Sequence, residues 1–215
     1  MIIDVWSDVV CPWCFIGKRR LDAALSQFAH RSKVTVQHRA FQLQPDISKI
    51  VKTSDYLSEK YNLDQNAVKE MQANVCAIAD GEGLCYNLEE TLSGNTFDAH
   101  RLLLWSATIG KQPELLEAMY SAYFEKSKAL FSHTDLVSVA LSVDLDADVV
   151  EDILVSNQFA DEVISDRNLA TQLGATGVPF FVFGMKYAIS GAQPLEAFIQ
   201  TLDSAYADYD NGLIK

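Results

Sequence analysis

The chain has 215 residues, 49% hydrophobic and 21% charged, enough for one well-buried globular core or for a core carrying a sizeable insertion. Its net charge of −12 disfavours phosphate backbones and anionic lipid surfaces as partners. No stretch approaches about eighteen unbroken apolar residues, and MIIDVWSDV lacks the basic and long apolar regions of a secretory signal, so a cytoplasmic protein with few structural disulfides is expected.

Residues 2–10, IIDVWSDVV, are rich in β-branched side chains and read as a strand. From Pro12 the period becomes helical, with Ile16, Leu21, Ala24, Leu25 and Phe28 recurring up to His30. Pro12 suits a first helical turn, where a missing N–H costs nothing. Lys18, Arg19 and Arg20 on this helix read as a solvated face. Residues 33–43, KVTVQHRAFQL, alternate through Val34, Val36 and His38 as a second strand. Strand, helix and strand in succession predict two parallel strands with a right-handed crossover.

Residues 53–174 hold almost no strand signal. Val68, Met71, Val75 and Ile78 mark a helix stopped by Gly81 and Gly83. Asn95-Thr96 caps a helix carrying Phe97, Leu103, Leu104 and Ala107, closed by Gly110. Pro113 starts another through Leu116, Met119, Tyr120 and Tyr123, and Thr134 or Asp135 opens a shorter one. Asp146 caps a helix with Val149, Val150, Ile153 and Leu154, and residues 158–173 run helical to Gly174.

Strand signal returns in PFFVF (179–183) and KYAIS (186–190), joined at Gly184-Met185 as a tight hairpin. Pro194 opens a last helix with Leu195, Phe198, Ile199 and Leu202, and the tail beyond Tyr209 reads as loose. The expected class is α/β. Residues 1–45 and 175–215 form one discontinuous domain with a mixed sheet, and residues 46–174 form an inserted all-helical domain.

The chemistry-bearing motif is CPWC, with Cys11 and Cys14 between the first strand and the first helix. A helix N-terminus presents unpaired N–H groups and about half a positive charge. The Cys11 sulfur is placed to accept those bonds as a thiolate, and cysteines so placed ionise at about 3.5–7.5. Cys14, one turn on and more buried, is placed to attack a mixed disulfide formed at Cys11. Pro12 and Trp13 keep the turn rigid and supply no general base. A zinc site needs four ligands. Cys76 and Cys85 are not spaced as a second pair, and His30, His38, His100 and His133 do not pair at ligand spacing, so no metal is expected. A permanent staple across so short a loop restrains little chain entropy. Pro179, directly before a strand, reads either as a trans strand starter or as a cis residue. A cis Val178–Pro179 bond would leave the Val178 backbone for a substrate peptide or glutathione to pair with.

SDVVCPWC, NTFDAHRLLLWS and VPFFVFGMKYAISGAQP together resemble the DsbA family of thioredoxin-like oxidoreductases, and within it the FrnE-like branch. The resemblance spans nearly the whole chain. It implies a thioredoxin fold with an inserted helical domain, and thiol–disulfide exchange at a redox-active center. Cys11 then takes the nucleophile role, Cys14 the resolving role and Pro179 the cis-proline role. Pro12, Trp13, Val178, Asn95 and His100 are the expected substrate-binding residues, with Arg101 as an alternative to His100 for meeting a substrate carboxylate. The competing reading of NTFDAHR is a helix cap with surface charges. Periplasmic relatives carry a His between the cysteines. Pro-Trp stands here instead, so a couple less oxidising than about −120 mV is expected.

Thioredoxin-like proteins also often bury an acid behind the CxxC. Asp4 is the candidate proton shuttle, with Asp8 expected at the rim. Cys76 and Cys85 read either as a disulfide or relay, or as small buried apolar residues. No cofactor is required beyond glutathione as an optional co-substrate. The expected partner is a disulfide- or thiol-bearing protein, or glutathione. The rival reading is a glutathione-dependent isomerase or transferase of the kappa-like, 2-hydroxychromene-2-carboxylate isomerase type, whose members typically carry Ser in place of the first Cys. A third reading is a redox sensor or chaperone. Assembly state is not legible.

Overall fold

The computed structural model describes residues 1–214 and divides into two compact units. The first comprises Met1–Leu43 and Ile164–Lys215, and the second Gln44–Val163.

The first unit is built on a four-stranded mixed sheet. Strands β1 (Ile2–Ser7) and β2 (Thr35–Ala40) are parallel and joined through helix α1 (Pro12–Gln27), as the βαβ pattern predicts. Both strands are shorter than their apolar runs. After Ser7 the chain turns, with the Cys11 amide donating to the Asp8 carbonyl at 3.1 Å, and this turn delivers the helix start. Strands β5 (Phe180–Phe183) and β6 (Tyr187–Ser190) form the late hairpin, and β5 pairs antiparallel to β1, giving the order β2-β1-β5-β6. Gly184 and Met185 have φ of 55° and 56°, the two left-handed residues that suit a two-residue hairpin.

The two sheet faces bury different material. Ile3, Val5, Phe181 and Phe183 face a core made with Leu21, Ala24 and Leu25 of α1 and with Phe198, Leu202 and Ala205 of helix α9 (Leu195–Asp210). Trp6, Phe180 and Val182 face Leu169 and Ala170 of helix α8 (Ala160–Gln172) and Leu173 just after it.

That second face moves the domain boundary. The sequence places 164–174 in the insertion, but the residues from Ile164 onward belong to the sheet-bearing unit. Asp166 is the reason: its carboxylate accepts from the Ala40 amide at 2.9 Å and its carbonyl accepts the Trp6 indole N–H at 2.8 Å. Arg39 bridges it to Asp4, at 3.2 Å and 2.8 Å respectively. The tail is also corrected. Helix α9 runs to Asp210, the Leu213 amide donates to the Asp208 carbonyl at 2.8 Å, and Ile214 packs on the first core.

The second unit is helical but not wholly so. Helices α2 (Thr53–Tyr61), α3 (Gln65–Gly81), α4 (Phe97–Thr108), α5 (Gln112–Tyr120), α6 (His133–Leu141) and α7 (Ala147–Val155) are joined by a two-residue antiparallel ribbon, β3 (Val51–Lys52) with β4 (Leu92–Ser93). The ribbon corrects the all-helical expectation: two residues per strand leave too short a period to see. Capping chemistry explains most boundaries. Asp64 and Asp146 accept first-turn amides, and Ser132 with Asp135 forms a capping box at α6.

Candidate active site

Cys11 is the N-cap of α1, Pro12 begins the helix, and Cys14 lies in the first turn with its amide donating to the Cys11 carbonyl at 3.0 Å. Both thiols are free and buried, 3% and 2% exposed, so Cys14 is not distinctly the more covered of the two. Trp13, between them, is 37% exposed.

The Cys11 side chain makes no hydrogen bond to the helix N–H groups. Its thiol instead donates to the Val178 carbonyl at 3.6 Å. This departs from the expected geometry, in which the helix N–H groups meet the sulfur: the sulfur turns to the Val178 carbonyl instead. The Val178–Pro179 peptide bond is cis.

Burial pushes the Cys14 thiol well above its ordinary value, and hydrogen bonding and charge from Cys11 push the same way; a backbone hydrogen bond from Asp8 opposes them and the Asp8 charge adds. This reverses the expected placement of the two acids. Asp8 is 1% exposed rather than at the rim, and accepts the Leu43 amide at 2.8 Å. Asp4 alternates with Ile3 and Val5, so it points to the face opposite α1, where Arg39 holds it at 2.8 Å. The period of two that made Asp4 look central turns it away from the cysteines.

Gly17 was not singled out from the sequence, although a glycine in the middle of a helix is the signal that could have found it. A Cβ there would sit 3.0 Å from Phe181 Cζ and 3.1 Å from Pro179 Cγ. Its missing side chain lets α1 lie against β5 and against Pro179 just before it.

The structure thus brings Cys11, Pro12, Trp13, Cys14, Val178 and Pro179 together in one unit. Asn95 and His100 lie in the other. Asn95 accepts the Phe97 amide at 2.8 Å and donates to the Pro45 carbonyl at 3.0 Å, a cap-and-loop role. His100 is 2% exposed within α4. Arg101, 3% exposed, donates to Asp98 at 2.7 Å and to the carbonyls of Gln158, Ile153, Leu154 and Ser156. Its guanidinium secures the loop after α7, which replaces the expected role toward a substrate carboxylate. Cys85 is exposed, contrary to the buried alternative, and Cys76 is half-buried with its thiol 3.8 Å from the Tyr86 carbonyl. Among the described residues, no three His, Cys, Asp or Glu side chains cluster to hold a metal, and no helix is long and apolar enough to cross a membrane.

Residues 2–203 match the family model of the DSBA-like thioredoxin domain. The chain belongs to this family. A probable DsbA oxidoreductase from Streptomyces coelicolor is 40% identical, with 97% of this chain and 91% of that one covered and a TM-score of 0.93. More distant structures share the fold. A 2-hydroxychromene-2-carboxylate isomerase is 16% identical, covers both chains fully (100% each) and has a TM-score of 0.69. The cytosolic disulfide reductase DsbM from Pseudomonas aeruginosa is 15% identical over 99% and 98% of the two chains, with a TM-score of 0.61, and is also solved with GSH. No match was found among the curated proteins. As a member of the DSBA-like family, the chain keeps the thioredoxin sheet in the first unit and carries the second unit, Gln44–Val163, between β2 and the rest of α8.

Proposed function

We propose that this protein is a thiol–disulfide oxidoreductase of the FrnE-like branch, with Cys11 and Cys14 as its redox-active center. The observation that carries this reading is the placement of the Cys11 sulfur at the start of α1, 3.6 Å from the carbonyl of Val178 in the cis Val178–Pro179 segment. A thiol there sits beside the bend just before β5, whose Val178 carbonyl an incoming peptide can pair with.

In the reducing direction, the Cys11 thiolate attacks one sulfur of a substrate disulfide. A Cys11–substrate bond forms, the substrate S–S bond breaks, and the departing thiolate takes a proton. Cys14 then loses its proton and attacks Cys11, closing Cys11–Cys14 and releasing the second substrate thiol. The substrate gains two electrons and two protons, and the enzyme pair loses them. Two molecules of an external thiol such as glutathione reset the pair and leave as their disulfide, and the oxidising direction is the reverse. The raised Cys14 thiol fits the order of events. While Cys11 is free, burial first and the neighbouring Cys11 second hold Cys14 protonated; once Cys11 is bonded to substrate, the Cys11 contribution is gone and only burial still opposes ionisation.

Trp13, Pro12 and Val178 border the sulfur as substrate contacts, and Asn95 and His100, in the other unit, stay candidate substrate contacts. The buried acid nearest this chemistry is Asp8, which replaces Asp4 as the candidate proton acceptor for Cys14. The glutathione-dependent isomerase reading is weaker, because Cys11 stands where that branch typically carries Ser. Glutathione as co-substrate accords with the GSH-bound DsbM, and a cytoplasmic location with that protein's description as cytosolic.

Two measurements test the proposal. Cys14→Ser should accumulate a mixed disulfide between Cys11 and a peptide disulfide, visible by mass spectrometry under non-reducing conditions. The parent couple should equilibrate with glutathione at a potential below about −120 mV. A Cys14→Ser protein that reacts with small alkylating reagents but never traps a peptide rejects the assignment.

A further inference from the structure

The basic run Lys18-Arg19-Arg20 is not a solvated face. Lys18 pairs with Asp22 at 2.7 Å, and the Arg19 guanidinium lies 4.5 Å from the centre of the Phe15 ring. Arg20 leaves its helix altogether. Its Nη1 donates to the Ala192 carbonyl at 2.5 Å and to the Gln193 carbonyl at 3.3 Å, across more than 170 residues of sequence.

The segment it holds has a specific job. Gly191, with φ of +79°, starts a tight turn in which the Gln193 amide donates to the Gly191 carbonyl at 3.0 Å. The Gly191 amide in turn donates to the Pro179 carbonyl at 2.8 Å. Pro179 follows Val178, whose carbonyl accepts the Cys11 thiol. Arg20 sits three residues beyond Gly17 on α1, the position whose bare Cα lets Pro179 and Phe181 approach. The N-cap and first half of α1 therefore meet this region at three points: Cys11 at the Val178 carbonyl, Gly17 at the side chains of Pro179 and Phe181, and Arg20 at the carbonyls of 192 and 193.

We propose that Arg20 is a positioning residue for peptide substrates. It pins the 191–193 turn, the turn holds the Pro179 carbonyl through the Gly191 amide, and Val178 is thereby kept in register with Cys11. The inference rests on the oxidoreductase reading and deepens it, by assigning a residue that governs docking of the polypeptide rather than reactivity of the sulfur. A charged donor to two carbonyls is a strong pin for an irregular turn, and it reaches this one from a separate helix, whereas the Gln193 side chain bonds only within the turn, to the Ser190 carbonyl at 2.9 Å.

The test uses the full-length Cys14→Ser protein and two reagents. Iodoacetamide is small and needs only the Cys11 sulfur. A peptide with a mixed aryl disulfide also needs to pair along Val178. Arg20→Gln should slow mixed-disulfide formation with the peptide about tenfold, the factor commanded by one charged hydrogen bond. It should leave the iodoacetamide rate unchanged. Arg20→Lys, which keeps a donor and a charge, should recover most of the peptide rate. Equal peptide rates in Arg20→Gln and its Cys14→Ser parent overturn the proposal. So does an equal fall with both reagents, which would mark Arg20 as merely structural. If Arg20→Gln does not fold, Arg20→Met, which keeps the aliphatic stem but donates nothing, takes its place: its peptide rate must fall relative to its iodoacetamide rate, and an unchanged ratio overturns the proposal. Failure of the Cys14→Ser parent to trap any peptide would instead reject the oxidoreductase reading, and is told apart because no Arg20 variant is involved.

Discussion

Two regions of this molecule carry cysteines, and their surroundings differ in kind. Cys11 and Cys14 occupy the first turn of a helix, with Val178 and Pro179 against one edge and a buried acid, Asp8, beneath. Cys76 and Cys85 lie on and after α3, where Cys76 meets the Tyr86 carbonyl and the Leu88 backbone and Cys85 is exposed. Burial raises the Cys76 thiol, with Glu89 adding to the effect and a Leu88 backbone hydrogen bond opposing it. The lesson is that residue type marks candidates, while reactivity depends on what the backbone places around the sulfur.

The largest test of this contrast is Cys11→Ser, which should cut disulfide exchange in an insulin-reduction assay by on the order of a thousandfold, as for other enzymes that lose their nucleophile. Activity that survives would erase the difference between the two regions.

The frame behind the first pair comes next. Arg39 stands between two carboxylates whose side chains are only 6% and 8% exposed. Arg39→Met leaves Asp4 and Asp166 buried side by side, and should lower unfolding free energy by about 3 kcal/mol in denaturant melts. Gly17→Val, forced into Pro179 and Phe181, should cost about 2 kcal/mol and slow exchange, whereas the same change at exposed Gly81, where nothing lies within 4 Å, should not slow it.

His38 gives a pH test of the same frame. Burial, with the Lys18 charge adding, lowers its pKa from 6.5 to about 3. Below about 6.5 the unfolded imidazole takes a proton that the folded one refuses. The unfolded state then binds more protons, so stability is full above about 6.5 and falls as pH drops toward about 3, by at most about 1.4 kcal/mol per unit. His38→Gln should flatten that slope in melts run across the window. The smallest expected effect is that of Cys76→Ser or Cys85→Ser, which should leave the insulin-reduction rate within about a factor of two, as for surface changes away from a site.

Much of the site was legible because its cues are local. CPWC after an apolar run, and a proline directly before PFFVF, are short-range signals whose meaning survives without coordinates. The misreadings share one cause: each concerned a side chain whose partner is remote. Asp4 was a reasonable buried acid until strand alternation sent it to the α8 face with Arg39. Asp166 carried no local mark, yet it ties α8 to the sheet and shifts the domain boundary. Arg20 and Arg101 looked like surface cations, but each ends on backbone carbonyls, those of Arg20 more than 170 residues away.

The sequence by itself determined the βαβ start, the late hairpin, the helical character of the middle and the placement of two cysteines at a helix N-terminus. These follow from periodicity, turn residues and caps, which act over a few residues. Only the tertiary structure decided which acid lies beneath the cysteines, which glycine admits Pro179, and which arginine reaches the turn that supports it. Those depend on which face of a strand or helix meets which distant segment, and packing, not local propensity, makes that choice.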